Sequence, residues 1–110
     1  MKHEMRLNGG PFTDIKNGTK TIELRLNDEK RQLLKEKDLI EFTNRETSEQ
    51  MLVKIVKLHH YPSFEELYKH FDKVSMGYKD YEIADPKDME KYYSKEEQQK
   101  YGVVGIEIKK

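Results

Sequence analysis

The run Gly18-Thr19-Lys20-Thr21-Ile22-Glu23-Leu24-Arg25 brings an ammonium, a carboxylate and a guanidinium into one short stretch. Side chains two apart on a strand share a face and lie about 7 Å apart, from a rise of about 3.4 Å per residue. Glu23 and Arg25 are therefore set either to pair or to line a pocket together. Lys20 has the opposite parity, so it joins them only if it sits in a loop or a bulge. Two chemistries are open to such a group. A lysine can serve as base or nucleophile while a buried glutamate moves protons. Alternatively, the arginine grips phosphate and the glutamate accepts from a base amino group. The plainer alternative is a solvated strand face carrying an ordinary ion pair. Arg25 beside Glu23 would hold that carboxylate ionised and engaged, which favours recognition over catalysis.

Other side chains extend or limit these options. His59-His60 precedes Tyr61-Pro62 at the expected end of a strand, and either ring, His60 in particular, could edge a cleft and stack on a base. Together with His3 and His70 they show no metal-ligand spacing on one helix face, so neither metal nor cofactor is expected. Tyr78, Tyr81, Tyr92, Tyr93 and Tyr101 are interleaved with Lys79, Lys91, Lys95 and Lys100. That pattern suits a stacking platform for single-stranded nucleic acid or a protein-interaction surface. Packing of helices onto a small core is the simpler use of the same rings. Lys30, Arg31, Lys35 and Lys37 are offset by Asp28, Glu29, Glu36 and Asp38, which describes a solvated face, although the arginine and lysines could guide a phosphate chain.

The whole chain frames these options. It has 110 residues, 21 Lys+Arg against 21 Asp+Glu, and no cysteine. The length suits one domain over residues 1–110. Zero net charge excludes binding nucleic acid through bulk basicity, so any such role rests on a local patch or pocket. Without cysteine there is no disulfide, thiolate nucleophile or thiolate metal site. No apolar run approaches the ~20 residues of a membrane span, and MKHEMRL lacks the apolar core of a secretory signal. A cytoplasmic location without membrane association is the expectation.

The elements that must position the candidate residues follow from periodicity. Residues 1–7 alternate as a strand with His3, Met5 and Leu7 on one face. Gly9-Gly10-Pro11 breaks it, and a short helix over 11–17 stops at Gly18. Residues 19–26 form the next strand, with Ile22, Leu24 and Leu26 opposite Thr21, Glu23 and Arg25. Residues 27–37 are a short helix or ordered loop anchored by Leu33-Leu34. Residues 38–43 and 51–58 make a hairpin. Ser63-x-x-Glu66 predicts a capping box, followed by a stripe of Phe64, Leu67, Tyr68 and Phe71. Asp85-Pro86 opens a second helical stretch and Ser94-x-x-Glu97 is a second capping box, stopped at Gly102. Residues 103–109 close the chain as a strand with Val104, Ile106 and Ile108 on one face. The count is about five strands with flanking helices: an α+β domain whose mixed sheet curls toward a small barrel.

Ile15 to Arg25 also resembles the G-x-K-x-x-E-x-R signature of ASCH domains, which have the PUA-like β-barrel fold. Asp38-Leu39-Ile40-Glu41-Phe42, the helix start Ser63-Phe64-Glu65-Glu66-Leu67 and the closing strand Tyr101 to Ile108 are similar to the family in order and position. The resemblance implies a cleft lined by Lys20, Glu23 and Arg25 and a partner that is RNA or a nucleoside-like molecule. Some small members are amidohydrolases acting on N4-acetylcytidine through a lysine, a threonine and a glutamate. Lys20 matches that lysine. The threonine position falls on Glu23, and the glutamate position falls near Asp72 to Ser75, where there is no glutamate. The resemblance therefore implies binding first and an amidohydrolase, with Lys20 and Glu23 as its catalytic candidates, second.

Overall fold

Alternation in the first residues produces a strand, β1 (Lys2–Leu7), whose Met5 and Leu7 are buried while Glu4 and Arg6 face water. The computed structural model describes all residues, Met1–Lys110. The helix after β1 starts earlier than expected: α1 spans Gly9–Asn17, with Pro11 inside its first turn, where a missing N–H breaks no helical bond. Gly18 ends α1 in the left-handed conformation (φ 86°), and its N–H donates to Ile15 O. The next strand, β2, is Ile22–Leu26, so Thr19, Lys20 and Thr21 lie before it.

β3 (Leu39–Asn44) and β4 (Gln50–Tyr61) form the expected antiparallel hairpin, but β4 continues through His59, His60 and Tyr61. Its register shifts between Ile55 and Lys57. Before the shift β4 pairs mainly with β3, and beyond it with β5 (Val103–Lys109). A bulge of this kind bends a strand. The five-stranded sheet, in the order β1-β3-β4-β5-β2, is thereby curled. It is a mixed sheet, since β1 runs parallel to β3 while the other pairs are antiparallel. The result is an α+β half-barrel with β1 and β2 at its two edges.

Two apolar cores occupy opposite sides of this curl. Inside it, Met5, Phe12, Ile15, Ile40, Phe42, Ile55 and Ile106 pack together, with α1 closing the bowl. Outside it, Ile22, Leu24, Leu26 and Val103 pack against Phe64, Leu67 and Met76. The 63–101 segment supplies that second layer, although its helices are shorter than predicted. α2 is only Phe64–Leu67. Ser63 Oγ accepts from the Glu66 N–H, while the Glu66 carboxylate pairs with Lys69 rather than closing a capping box. Residues Pro86–Lys91 form a 3₁₀ stretch opened by Asp85, and α3 (Lys95–Tyr101) has the full reciprocal box of Ser94 and Glu97. In the 27–37 region a 3₁₀ turn covers Arg31–Leu33. Leu34 is buried and Leu33 is exposed, so one leucine anchors this loop rather than two.

Candidate active-site cleft

Lys20 escapes the alternation of β2 because it sits in the loop before it. Its N–H donates to Asp14 O at 3.1 Å, while the Thr21 and Ile22 N–H groups both donate to Ser75 O. This tethering of the 18–22 turn to α1 and to the 72–78 loop brings the Lys20 ammonium back onto the strand's polar face. Lys20 Nζ lies 3.2 Å from Glu23 Oε1 and donates to Met76 O at 3.0 Å. Arg25 Nε donates to the other oxygen, Glu23 Oε2, at 2.8 Å. The three residues therefore converge, with both carboxylate oxygens held by cations.

β2 is buried on both faces, contrary to a simple in-out strand. Glu23 is opposite Ile106 and Arg25 opposite Val104, residues of the inner core, so the charged pair looks into the half-barrel. There the edge strands do not pair with each other, and Arg25 Nη2 reaches across to donate to Arg6 O of β1 at 2.9 Å. The ionic group thus bridges the seam that hydrogen bonding leaves open.

Electrostatics in this seam are set by burial and by mutual pairing. Burial by itself would push the Glu23 carboxyl up, but Lys20 and Arg25 together hold it below its ordinary value. Burial would lower Arg25, yet Glu23 and the Tyr93 phenol beside it leave its guanidinium above its ordinary value. Gly77 lies against the Lys20 stem with φ +109°. A Cβ there would come 3.2 Å from Lys20 Cδ and 3.3 Å from Nζ. A glycine is thus needed both for the backbone turn and for the lysine to pass under it.

Above the seam opens a cleft of about 700 Å³ lined by Lys20, Glu23 and Arg25. The 68–93 segment forms one wall, including Tyr68, Tyr78 and Tyr93; Arg6 and Arg45 border the other. Tyr78 links that wall together: its hydroxyl donates to Asp88 Oδ2 at 2.8 Å and lies 2.9 Å from the Tyr68 hydroxyl. Burial, then these hydrogen bonds, push the Tyr78 phenol well above its ordinary value, so it serves as a neutral wall.

The other candidates fall elsewhere. His60 is exposed on β4 opposite Val104 and does not line the cleft. Its reading as a cleft edge assumed a strand ending at residue 58; the longer β4 carries it along the sheet instead. His59 pairs with Glu107 at 2.9 Å, His3 with Asp38 at 2.8 Å, and His70 stacks on Tyr61. No group of three His, Asp or Glu side chains is arranged to hold a metal ion. The tyrosines divide: Tyr78 and Tyr93 pack on the outer core and line the cleft, whereas Tyr81 is 86% exposed. Two contributors were not visible beforehand. By spacing, Tyr68 falls on an apolar stripe that gives its hydroxyl no task, and Gln98 belongs to no motif. Gln98 is buried and joins the Phe64 N–H to Tyr93 O at 3.1 and 3.2 Å, holding the Tyr93 wall to α2.

These features can be set beside known proteins. The crystal structure of hypothetical protein PH0355 matches with a TM-score of 0.83 and 34% identity, over 99% of this chain and 98% of that one. The solution structure of protein PF0455 from Pyrococcus furiosus matches with a TM-score of 0.71 and 31% identity, over 99% and 96%. Among curated proteins none matches. The family model described as the ASCH domain matches residues 5–110, which takes in the seam, both cores and every wall of the cleft. The chain belongs to the ASCH domain family.

Proposed function

We propose that the cleft binds RNA or a nucleoside-like ligand, with Lys20 and Arg25 as its floor. The observation that carries this reading is the convergence of two cations on one buried carboxylate beneath a tyrosine-walled cleft. RNA binding is the activity associated with the PUA-like ASCH family. The arrangement changes the assignment of roles within the group. Glu23 has a cation on each oxygen, so it positions Lys20 and Arg25 rather than reading a base amino group. A guanidinium has five N–H donors. Arg25 commits donors to Glu23 and to Arg6 O, leaving others for a ligand carbonyl. Tyr68, Tyr78 and Tyr93 supply aromatic surface for a base.

Titration of the intact chain with a short single-stranded oligoribonucleotide tests this reading. Loss of a charged hydrogen bond worth about 1.5–3 kcal/mol predicts at least about tenfold weaker binding by Arg25→Ala. Unchanged affinity in that variant removes the cleft from the account.

Hydrolysis of an acylated nucleoside is the second reading, favoured by the position of Lys20 on the cleft floor. Against it, the ammonium is held by Glu23 and Met76 O, with no free carboxylate paired to it as a base. Incubation with N4-acetylcytidine separates the two: release of cytidine that disappears in Lys20→Ala supports hydrolysis, and no release supports binding.

A further inference from the structure

The charges around the cleft are unevenly partnered. Its carboxylates are all engaged within the protein. Glu23 holds Lys20 and Arg25, Asp14 pairs with Lys79 at 3.0 Å, Glu82 accepts from the Lys79 N–H at 2.7 Å, and Asp88 accepts from Tyr78. Three cleft cations, Arg6, Arg45 and Lys91, have no carboxylate partner, in a chain whose total charge is zero. Lys91 stands at the 68–93 wall with its ammonium over the Tyr92 ring. Arg6 and Arg45 belong together. The Arg45 N–H donates to Leu7 O at 2.9 Å, which sets the start of the β3–β4 turn against the end of β1. Arg6 is also the residue whose carbonyl receives Arg25, so the seam and this basic corner share a backbone segment.

We infer that Arg6 and Arg45 form a phosphate subsite at the β1 end of the cleft, so that its ligand is a phosphorylated nucleoside rather than a neutral one. This rests on the nucleoside-binding reading of the same cleft and extends it by naming the ligand's charge and where that charge lies. Two arginine forks can grip a phosphate through charge-assisted hydrogen bonds, which are stronger than neutral ones. The buried floor contributes little to that task. Its guanidinium and ammonium are both held by Glu23, whose one charge offsets one of them, and Arg25 is further fixed by Arg6 O. The division of labour is therefore spatial: floor and tyrosines for the nucleoside, the arginine corner for its phosphate. The phosphate is either terminal on a free nucleotide or part of an RNA strand, and the two sources share this chemistry. An RNA strand would lay successive phosphates past Arg6 and Arg45 toward Lys91.

Calorimetric titration of the intact chain with cytidine, cytidine 5′-monophosphate, uridine, uridine 5′-monophosphate and a short oligoribonucleotide tests this inference. The expected result is binding of at least one nucleotide about tenfold or more tightly than its nucleoside, from one to two charge-assisted contacts. In the Arg6→Ala/Arg45→Ala variant that preference should vanish while nucleoside affinity is retained. Both side chains are exposed, and a thermal melt by circular dichroism verifies that the variant is folded. A mononucleotide that matches the oligoribonucleotide identifies a free nucleotide as sufficient; an oligoribonucleotide that binds more tightly, with Lys91→Ala removing the excess, identifies the strand. Nucleosides that bind as well as their nucleotides, or a preference that survives the double substitution, overturn the subsite and leave the cleft reading standing. If none of these ligands binds, both are overturned.

Discussion

Glu23 is the single negative charge between the buried Lys20 and the half-buried Arg25, and its removal is the sharpest test of how the seam is held. Glu23→Gln keeps the size and shape of the side chain but leaves Lys20 and Arg25 without a counter-ion. Glu23 is 5% exposed and Lys20 7%, so water cannot replace the lost charge without opening the seam. Removing one partner from a buried ion pair costs about 3–5 kcal/mol, because the other is left uncompensated. At about 4 °C per kcal/mol for a domain of this size, the melting temperature should fall by about 12–20 °C. Lys20→Met should cost less, since Glu23 keeps Arg25 at 2.8 Å. The double variant should be more stable than Glu23→Gln alone, because it removes one of the two stranded cations. The carboxyl's folded value lies below its ordinary 4.5. Its ionised form therefore contributes stability that is complete above that pH and is lost as pH falls through the lower folded value. Urea unfolding at pH 7 and at successive steps below 4.5 should show wild type losing ground to Glu23→Gln as acid is added. A variant within about 1 kcal/mol of wild type at neutral pH, the range of an exposed pair, refutes a buried compensating role for Glu23.

Two further substitutions probe the walls of the same cleft. Gly77→Ala places a β-carbon against the Lys20 stem at a φ of +109°. It should cost about 1–3 kcal/mol in chemical unfolding, and a neutral result would mean that the 76–78 turn is not fixed over the lysine. Gln98→Leu fills the same volume but orphans the buried Phe64 N–H. The expected cost is about 1–3 kcal/mol with weaker ligand binding through a loosened Tyr93; unchanged stability would mean that α2 and Tyr93 are held by packing alone.

Much of the fold follows from local pattern. Alternation located β1, β3 and β5 to within a residue or so, Gly18 and Gly102 marked real stops, and Ser94 with Glu97 makes the reciprocal cap their spacing predicts. The failures share a physical cause. The stripe Phe64, Leu67, Tyr68 and Phe71 promised a longer helix than the single turn of α2, because packing on the outer core was satisfied without continuing it. β4 outran its apolar run because β5, distant in sequence, pairs with His59, His60 and Tyr61 and turns polar residues into strand. Local propensity does not carry that information. Similarly, β2 alternated as a one-sided strand, yet both its faces are covered: one by the 63–101 layer and the other by the inner core and the seam.

For the site, the amino-acid sequence alone determined the cast and its common face. Glu23 and Arg25 must lie on the same side of any strand because the side-chain period is two. It also set the total charge, which confines any anion binding to a local feature. Three outcomes belonged to tertiary structure. The loop before β2 had to be tied to Asp14 and Ser75 before Lys20 could reach Glu23. The edges β1 and β2 had to be brought together by the curl of the sheet before Arg25 could meet Arg6. Partner choice among the many charges had to be made in space, since 21 cations and 21 acids do not say which remain free. Spacing along a chain fixes direction within one element; only the packing of elements sets which directions meet, and so which charges are left for a ligand.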